Sequence, residues 1–269
     1  MLSTDRYGDV TRVRMTSWRG RLVGYDVSAY LVRGLLIDTG FPRAATEFLR
    51  FLDENTGTIR GVIVTHWHED HAGNAAGVAA RGLPLAIAPE TLAQLTQSAA
   101  SIRFYRRFVW GIAPPVASSV TPFAIDALRM VHTPGHTTDH HVVWDEESET
   151  LFSGDLFLGV KVRATFPDEN PRQLVTTLRE VAALQPRRMF DAHRGLVVDP
   201  TRALLAKADW LADTIRRIDL KIDAGWDDRA IQRELLGREG TVAVMSGGEY
   251  SKRTFVETVR RTKERPAGS

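Results

Sequence analysis

Residues 61–74 read Gly-Val-Ile-Val-Thr-His-Trp-His-Glu-Asp-His-Ala-Gly-Asn, and this stretch decides the fold. Its apolar beginning, residues 61–64, is a continuous run of the kind that predicts a buried strand. His66 and His68 follow two positions apart, so that on extended backbone both side chains point to the same side. If the chain turns after them, Asp70 and His71 face the same cavity. Imidazole and carboxylate groups at this density predict a site for divalent zinc, iron or manganese.

The composition limits what else the chain can be. It has 269 residues, 43% of them hydrophobic, which fits one large domain or a catalytic domain with a small appendage. Since there is no cysteine, disulfides, iron–sulfur clusters, thiolate zinc sites and cysteine nucleophiles are excluded. A net charge of +2 is too small to indicate a nucleic acid partner. No apolar run approaches the ~20 residues that span a bilayer, and no signal-peptide core is present. We therefore expect a cytoplasmic protein with no membrane partner.

Five motifs in order resemble the metallo-β-lactamase-fold hydrolase superfamily over about residues 10–198. The most specific is His66-x-His68-x-Asp70-His71 followed by Gly73-Asn74. The others are Leu36-Ile37-Asp38-Thr39-Gly40, Thr133-Pro134-Gly135-His136-Thr137, Ser153-Gly154-Asp155 and Asp191-Ala192-His193. All eight histidines lie between residues 66 and 193, which random placement would rarely give.

The resemblance implies a role for each motif residue. One metal ion would be bound by His66, His68 and His136, and a second by Asp70, His71 and His193. Asp155 would bridge the two ions, and Asp38 would orient the metal-binding loop without binding a metal. Asp70 is also a candidate catalytic proton acceptor. The implied cofactors are two divalent ions, with zinc the first choice and iron or manganese as alternatives.

The resemblance also implies an architecture. The fold class would be α+β, a four-layer αβ/βα sandwich with a C-terminal helical extension. We expect a catalytic domain at residues 1–199 and a helical segment at residues 200–269. Homodimers are common in the superfamily, so the resemblance allows a homodimer but does not fix the oligomeric state.

The complete ligand set implies a dinuclear hydrolase that uses a metal-bridging hydroxide on a small-molecule substrate. Such a set is similar to that of glyoxalase II, the quorum-quenching lactonases and tRNase Z, so the first expectation is a thioester, a lactone or a related ester. Lys161 or Arg163 would bind an anionic end of that substrate, or else both are solvated surface groups. A β-lactamase is disfavoured because two subclasses use a cysteine ligand and the third lacks the bridging aspartate. An inactive binding module is disfavoured because every ligand position is filled.

A phosphodiesterase or ribonuclease is the alternative. Helices expected at 200–223, 227–237 and 251–263 carry three basic pairs, 216–217, 252–253 and 260–261, which could contact phosphates. The simpler interpretation is that these helices pack on the domain and keep their arginines solvated.

Two further features leave alternatives open. Residues 101–115 combine aromatic and basic side chains, and we expect either a helix with buried aromatics and solvated arginines or a lid that contacts an anionic substrate. For His140 we expect a hydrogen bond to the loop or site, and for His132 and His141 a structural role.

Overall fold

The computed structural model describes residues 1–24, 26–97, 103–117 and 128–264. The chain divides into two compact units. Unit 1 comprises residues 1–132, 139–155 and 188–197, and unit 2 comprises residues 133–138, 156–187 and those from 198 onward. Residues 101 and 102, part of the aromatic and basic segment of the sequence, lie outside the described residues.

Unit 1 contains two sheets. The strands of the first sheet, in spatial order, are β1 (Leu2–Tyr7), β2 (Val10–Met15), β3 (Val27–Val32), β4 (Leu35–Ile37), β5 (Gly61–Val64) and β6 (Leu85–Ile87). The second sheet has the order β11-β10-β9-β8-β7, formed by β7 (Arg129–His132), β8 (His141–Asp145), β9 (Thr150–Phe152), β10 (Arg188–Asp191) and β11 (Gly195–Val197). Three pairings are parallel, β4 with β5, β5 with β6, and β9 with β10.

The two sheets share a core. Alternate residues of a strand point to opposite faces, and one face of the first sheet supplies Tyr30, Leu35 and Ile63 to a cluster that also contains Phe152 and Phe190 of the second sheet. The rings of Tyr30 and Phe190 lie 5.2 Å apart, a distance typical of packed aromatic pairs. This cluster joins the sheets into the central layers of the fold.

The other face of the first sheet packs against helices. Its buried residues, such as Leu36 and Val62, cluster with Phe48 and Leu52 of helix α2 (Ala45–Glu54). The remaining helices described in unit 1 are α1 (Trp18–Val23), α3 (Glu69–Ala72), α4 (Ala75–Ala79), α5 (Pro89–Leu95) and α6 (Phe104–Val109).

Unit 2 is helical. Its helices are α7 (Pro171–Ala182), α8 (Pro200–Asp223), α9 (Asp228–Ile231), a π-helical turn (Gln232–Leu236), α10 (Thr241–Met245) and α11 (Lys252–Glu264). Two local features favour the start of helix α7: Pro171 occupies the first turn, and the Asn170 side chain accepts a hydrogen bond from the Gln173 amide at 3.1 Å. The Arg172 guanidinium pairs with Asp219 of α8, which ties α7 to the longest helix.

The expected α+β class, with two sheets and a helical C-terminal part, is confirmed. The strand β1 was not expected, because its middle residues are all exposed and it therefore carries no burial signal. Within the described part of the chain, no helix is both long enough and apolar enough to cross a membrane.

Candidate metal centre

The motif residues of unit 1 follow strands whose carboxyl ends lie side by side. Asp38 follows β4 and His66 follows β5, its parallel neighbour. In the second sheet Asp155 follows β9 and His193 follows β10, which are also parallel neighbours. Because parallel strands end at the same edge, each sheet delivers a pair of polar side chains to one place.

Asp38 holds the start of the metal-binding loop. Its backbone lies in the left-handed region, with φ +63°, a conformation that aspartate tolerates better than most residues. Its carboxylate accepts hydrogen bonds from the Thr65 amide at 2.8 Å, the Thr65 hydroxyl at 2.9 Å and His71 Nδ1 at 2.8 Å. The last bond places the His71 proton on Nδ1 and turns Nε2 towards the other polar groups.

Within unit 1 the donor atoms form two groups. His66, His68 and Asp155 each offer an atom within 4.8 Å of the others, and so do Asp70, His71 and His193. The Asp155 Oδ1 atom lies 3.1 Å from His71 Nε2 and 3.1 Å from His193 Nε2. The Asp155 carboxylate therefore contacts both groups.

Burial and charge act against each other at these residues. Burial disfavours the charged imidazolium, but the charges of Asp155 and Asp38 outweigh it and raise the pKa of His71 well above its usual value. Likewise burial opposes the charged form of His193, but Asp155 raises its pKa to about 9. The carboxylates thus require nearby positive charge, from protons or from metal ions. Because neutral imidazole and carboxylate are established ligands of divalent metals, the residues present fit a metal site.

His140 positions the Asp155 backbone. The Asp155 amide donates a hydrogen bond to His140 Nε2 at 3.1 Å, so the His140 ring accepts through this nitrogen. Gly154 has φ +49°, and a Cβ atom there would lie 2.7 Å from His140 Nε2, so no larger residue fits between them. The expected hydrogen bond of His140 to the loop is confirmed.

A buried ion pair was missed by the sequence interpretation. Arg106 of α6 is 8% exposed and pairs with Glu69, which is 2% exposed and lies between His68 and Asp70. The Arg106 guanidinium also lies over the Trp67 ring, 5.2 Å from its centroid. Burial raises the pKa of Glu69, and the charge of Arg106 opposes that shift.

The aromatic and basic segment therefore differs from the first expectation. Arg106 is buried and Phe104 is 82% exposed, against the expected pattern, whereas Arg103 is exposed and Trp110 packs partly buried against the core, as expected. This long charged side chain can be buried because the Glu69 carboxylate, from a distant part of the chain, pairs with its charge.

Asp139 is a second group that the sequence interpretation missed. Its carboxylate accepts hydrogen bonds from the Trp67 amide at 3.0 Å and the Thr91 hydroxyl at 2.8 Å. It thereby fixes the backbone between His66 and His68. Its place in a polar loop directly before His140 was the available signal.

The other predicted site residues lie in unit 2. His136 is buried, with Nδ1 3.7 Å from Glu169 Oε1. The preceding Gly135 has φ +137°, and a Cβ atom there would lie 2.7 Å from Leu174 Cα, so this turn requires glycine. Lys161 and Arg163 are both exposed.

Two facing sheets and a buried set of imidazoles and carboxylates define the class of metal-dependent hydrolases. The family model described as the metallo-beta-lactamase superfamily matches residues 22–215, and the chain belongs to that superfamily.

Three similar proteins illustrate the relationship. The "Beta-lactamase-like protein 2 homolog" of Drosophila melanogaster is 28% identical over 212 residues, which cover 70% of this chain and 68% of the relative. The "Atrochrysone carboxyl ACP thioesterase dmxR1" of Cryptosporiopsis sp. is 26% identical over 216 residues, covering 78% of this chain and 60% of the relative. A solved metallo-beta-lactamase family protein from Thermus thermophilus has a TM-score of 0.64 at 18% identity, covering 95% of this chain and 94% of the other. The structural likeness supports the fold.

Proposed function

We propose that this chain is a dinuclear hydrolase that cleaves a thioester, a lactone or a related ester of a small-molecule substrate. The observation that carries the proposal is the position of Asp155, which groups with His66 and His68 and whose Oδ1 atom also lies 3.1 Å from an imidazole nitrogen of both His71 and His193. A carboxylate between two groups of donors is the arrangement that two neighbouring divalent ions require.

The proposed ligands follow the motif pattern. His66 and His68 in unit 1, together with His136 as the sequence pattern assigns it, would hold one ion. Asp70, His71 and His193 would hold the other, and Asp155 would bridge both. Zinc suits this nitrogen and oxygen donor set, and iron and manganese also accept it. When bound, the ions supply Lewis acidity that ionises water near neutral pH and polarises the substrate carbonyl.

The chain's own residues orient and accept protons. Asp38 fixes the His71 ring through Nδ1, and the Asp139 carboxylate fixes the loop backbone at Trp67. We propose Asp70 as the proton acceptor, since the motif pattern assigns its carboxylate to the same metal group as His71 and His193. His193 Nε2 lies 3.6 Å from an Asp70 oxygen.

A thioester is the first choice of substrate because two related proteins are named as thioesterases, dmxR1 and the "Thioesterase pkgB" of Emericella nidulans. We further propose that Lys161 or Arg163 binds an anionic end of the substrate. We also propose a catalytic domain at residues 1–199 that is followed by a C-terminal helical segment at residues 200–269.

The basic pairs of the helical segment give the phosphodiesterase alternative little support. Arg216 pairs with Asp213, Arg253 with Glu257 and Arg260 with Asp228. Most of the arginines proposed as phosphate contacts therefore already have carboxylate partners within the chain.

The test offers one purified batch a thioester, a lactone and a phosphodiester in parallel, with zinc, manganese and iron supplied separately. The proposal expects metal-dependent turnover of the thioester or lactone. His68→Ala should abolish turnover and lower the bound metal content while the circular dichroism spectrum is retained. His132→Ala, which changes an exposed histidine of β7, is the matched control. Turnover of the phosphodiester alone, or full activity of His68→Ala, would contradict the proposal.

A further inference from the structure

Unit 2 contains a cavity in which Arg163, one of the two residues proposed above for the anionic end of the substrate, lies beside residues that have no role in the proposed hydrolysis. Its volume is about 110 Å³. At roughly 30 Å³ per water molecule this is room for several waters, and therefore for one oxyanion group. The cavity is lined by Arg163, Trp210, Thr214, Arg217, Leu235 and Leu236.

Two helical elements build this cavity. Trp210, Thr214 and Arg217 are spaced four and three residues apart on α8, so they lie on one face of that helix. Leu235 and Leu236 come from the π-helical turn at residues 232–236. Such turns are rare and frequently occur at functional sites. Here the turn is held in place, because the Gln232 side-chain amide donates to the Gly237 carbonyl.

The helix before the π-helical turn is anchored as well. The Asp227 carboxylate accepts a hydrogen bond from the Ala230 amide at 2.9 Å and so caps α9. Arg260 of α11 pairs with Asp228 at 2.7 Å. The π-helical turn that carries Leu235 and Leu236 is therefore held at both of its ends.

The charged side chains that line the cavity are all positive. Neither Arg163 nor Arg217 makes a hydrogen bond or ion pair with any residue that the structure describes, and no lining residue is acidic. Neighbouring basic residues of the same helix are paired, Arg216 with Asp213 and Lys221 with Glu234. Two exposed guanidinium groups beside one cavity therefore have no carboxylate partner in the described part of the chain, and their planar donors match the oxygens of an anionic ligand.

We propose that this cavity binds the phosphate monoester group of a ligand, with Arg163 and Arg217 as the two cationic contacts. A phosphate monoester carries up to two negative charges near neutral pH and so matches two guanidinium groups, whereas a carboxylate carries one. The accessible surface of the cavity is almost entirely polar, which suits the phosphate group itself.

Isothermal titration calorimetry of the metal-loaded protein with inorganic phosphate, phenyl phosphate and benzoate tests this proposal. Arg163→Gln and Arg217→Gln should each weaken binding of phenyl phosphate at least tenfold, and phenyl phosphate should bind at least tenfold more tightly than benzoate. Arg216→Gln is the matched control, since Arg216 is the adjacent arginine and already has a partner; it should change the affinity less than twofold.

Repeating the titration with His68→Ala distinguishes the cavity from phosphate bound at the metal centre. In that variant, the binding that depends on Arg163 and Arg217 should persist. Equal affinity of Arg217→Gln and Arg216→Gln, or no phosphate binding in His68→Ala, would overturn the site. Binding of benzoate as tight as that of phenyl phosphate would overturn the ligand class. Because the readout is binding, each of these outcomes is independent of whether the chain hydrolyses a thioester.

Discussion

Replacing Arg106 by methionine leaves the Glu69 carboxylate buried without its cation. The Glu69 side chain is 2% exposed and that of Arg106 10% exposed, so water compensates neither charge. Removing one partner of such a pair costs about 3–5 kcal/mol, whereas replacing both partners by apolar residues is often close to neutral. A domain of ordinary stability has about 5–15 kcal/mol in total. Arg106→Met should therefore lose a large share of the free energy of unfolding.

Urea unfolding of the metal-loaded protein, followed by tryptophan fluorescence, measures this loss. We expect Arg106→Met and Glu69→Leu each to be destabilised by about 3 kcal/mol or more. If the two single losses were additive, the double variant would lose their sum. We expect its free energy of unfolding to be at least ~2 kcal/mol higher than that additive value. Arg106→Lys should fall between wild type and Arg106→Met, because lysine keeps the charge but lacks the planar fork.

The control for this experiment is Arg81→Met, which removes an exposed pair with Asp53 and should leave the unfolding curve almost unchanged. Additive losses in the double variant, or a wild-type unfolding midpoint for Arg106→Met, would refute the coupling of α6 to the metal-binding loop.

Three further predictions concern other contacts. His140→Phe removes the acceptor of the Asp155 amide and should weaken metal binding about 10–100-fold in chelator competition; an unchanged affinity would remove His140 from the positioning residues. Gly73→Ala places a Cβ atom against the Glu69 carbonyl oxygen and should lower the free energy of unfolding by about 1–3 kcal/mol or more. The control Gly57→Ala places its Cβ atom in open space and should leave the melting temperature unchanged. Burial would raise the pKa of Asp145, but hydrogen bonds from Arg33 and Ser148 lower it on balance. The ionised Asp145 carboxylate therefore stabilises the fold above the pKa of about 3.9 that aspartate has in the unfolded chain. This stabilisation is lost as the pH falls through the lower pKa that Asp145 has in the folded protein. Asp145→Asn should flatten the acid side of the stability profile, and an unaltered slope would contradict this.

Local patterns made much of the fold predictable from the sequence. The continuous apolar run at residues 61–64 predicted a buried strand, and β5 is buried throughout because helices cover one face and the second sheet covers the other. Helix α8 was predicted with its observed bounds, since Pro200 suits a first turn and residues 224–227 end the apolar pattern. The strand β11, with only three residues, was too short for a periodic signal.

The residues that position the metal-binding loop were less predictable than the motif residues themselves. His66, His68, Asp70 and His71 are adjacent in sequence, so their pattern is visible without a structure. Arg106 and Asp139 act on the same loop from distant positions, and only the packing of α6 and the turn before β8 brings them there. An arginine among aromatic residues is usually solvated, and nothing local reveals that its partner is a buried glutamate.

We propose that one chain holds two metal ions and uses them to cleave a thioester or lactone. The most direct measurement is elemental analysis of metal-reconstituted protein, combined with turnover of both substrates by the same sample. We predict two equivalents of metal per chain in the wild type, and loss of both turnover and about one equivalent in His193→Ala. One equivalent in the wild type, or undiminished turnover in His193→Ala, would contradict the dinuclear account.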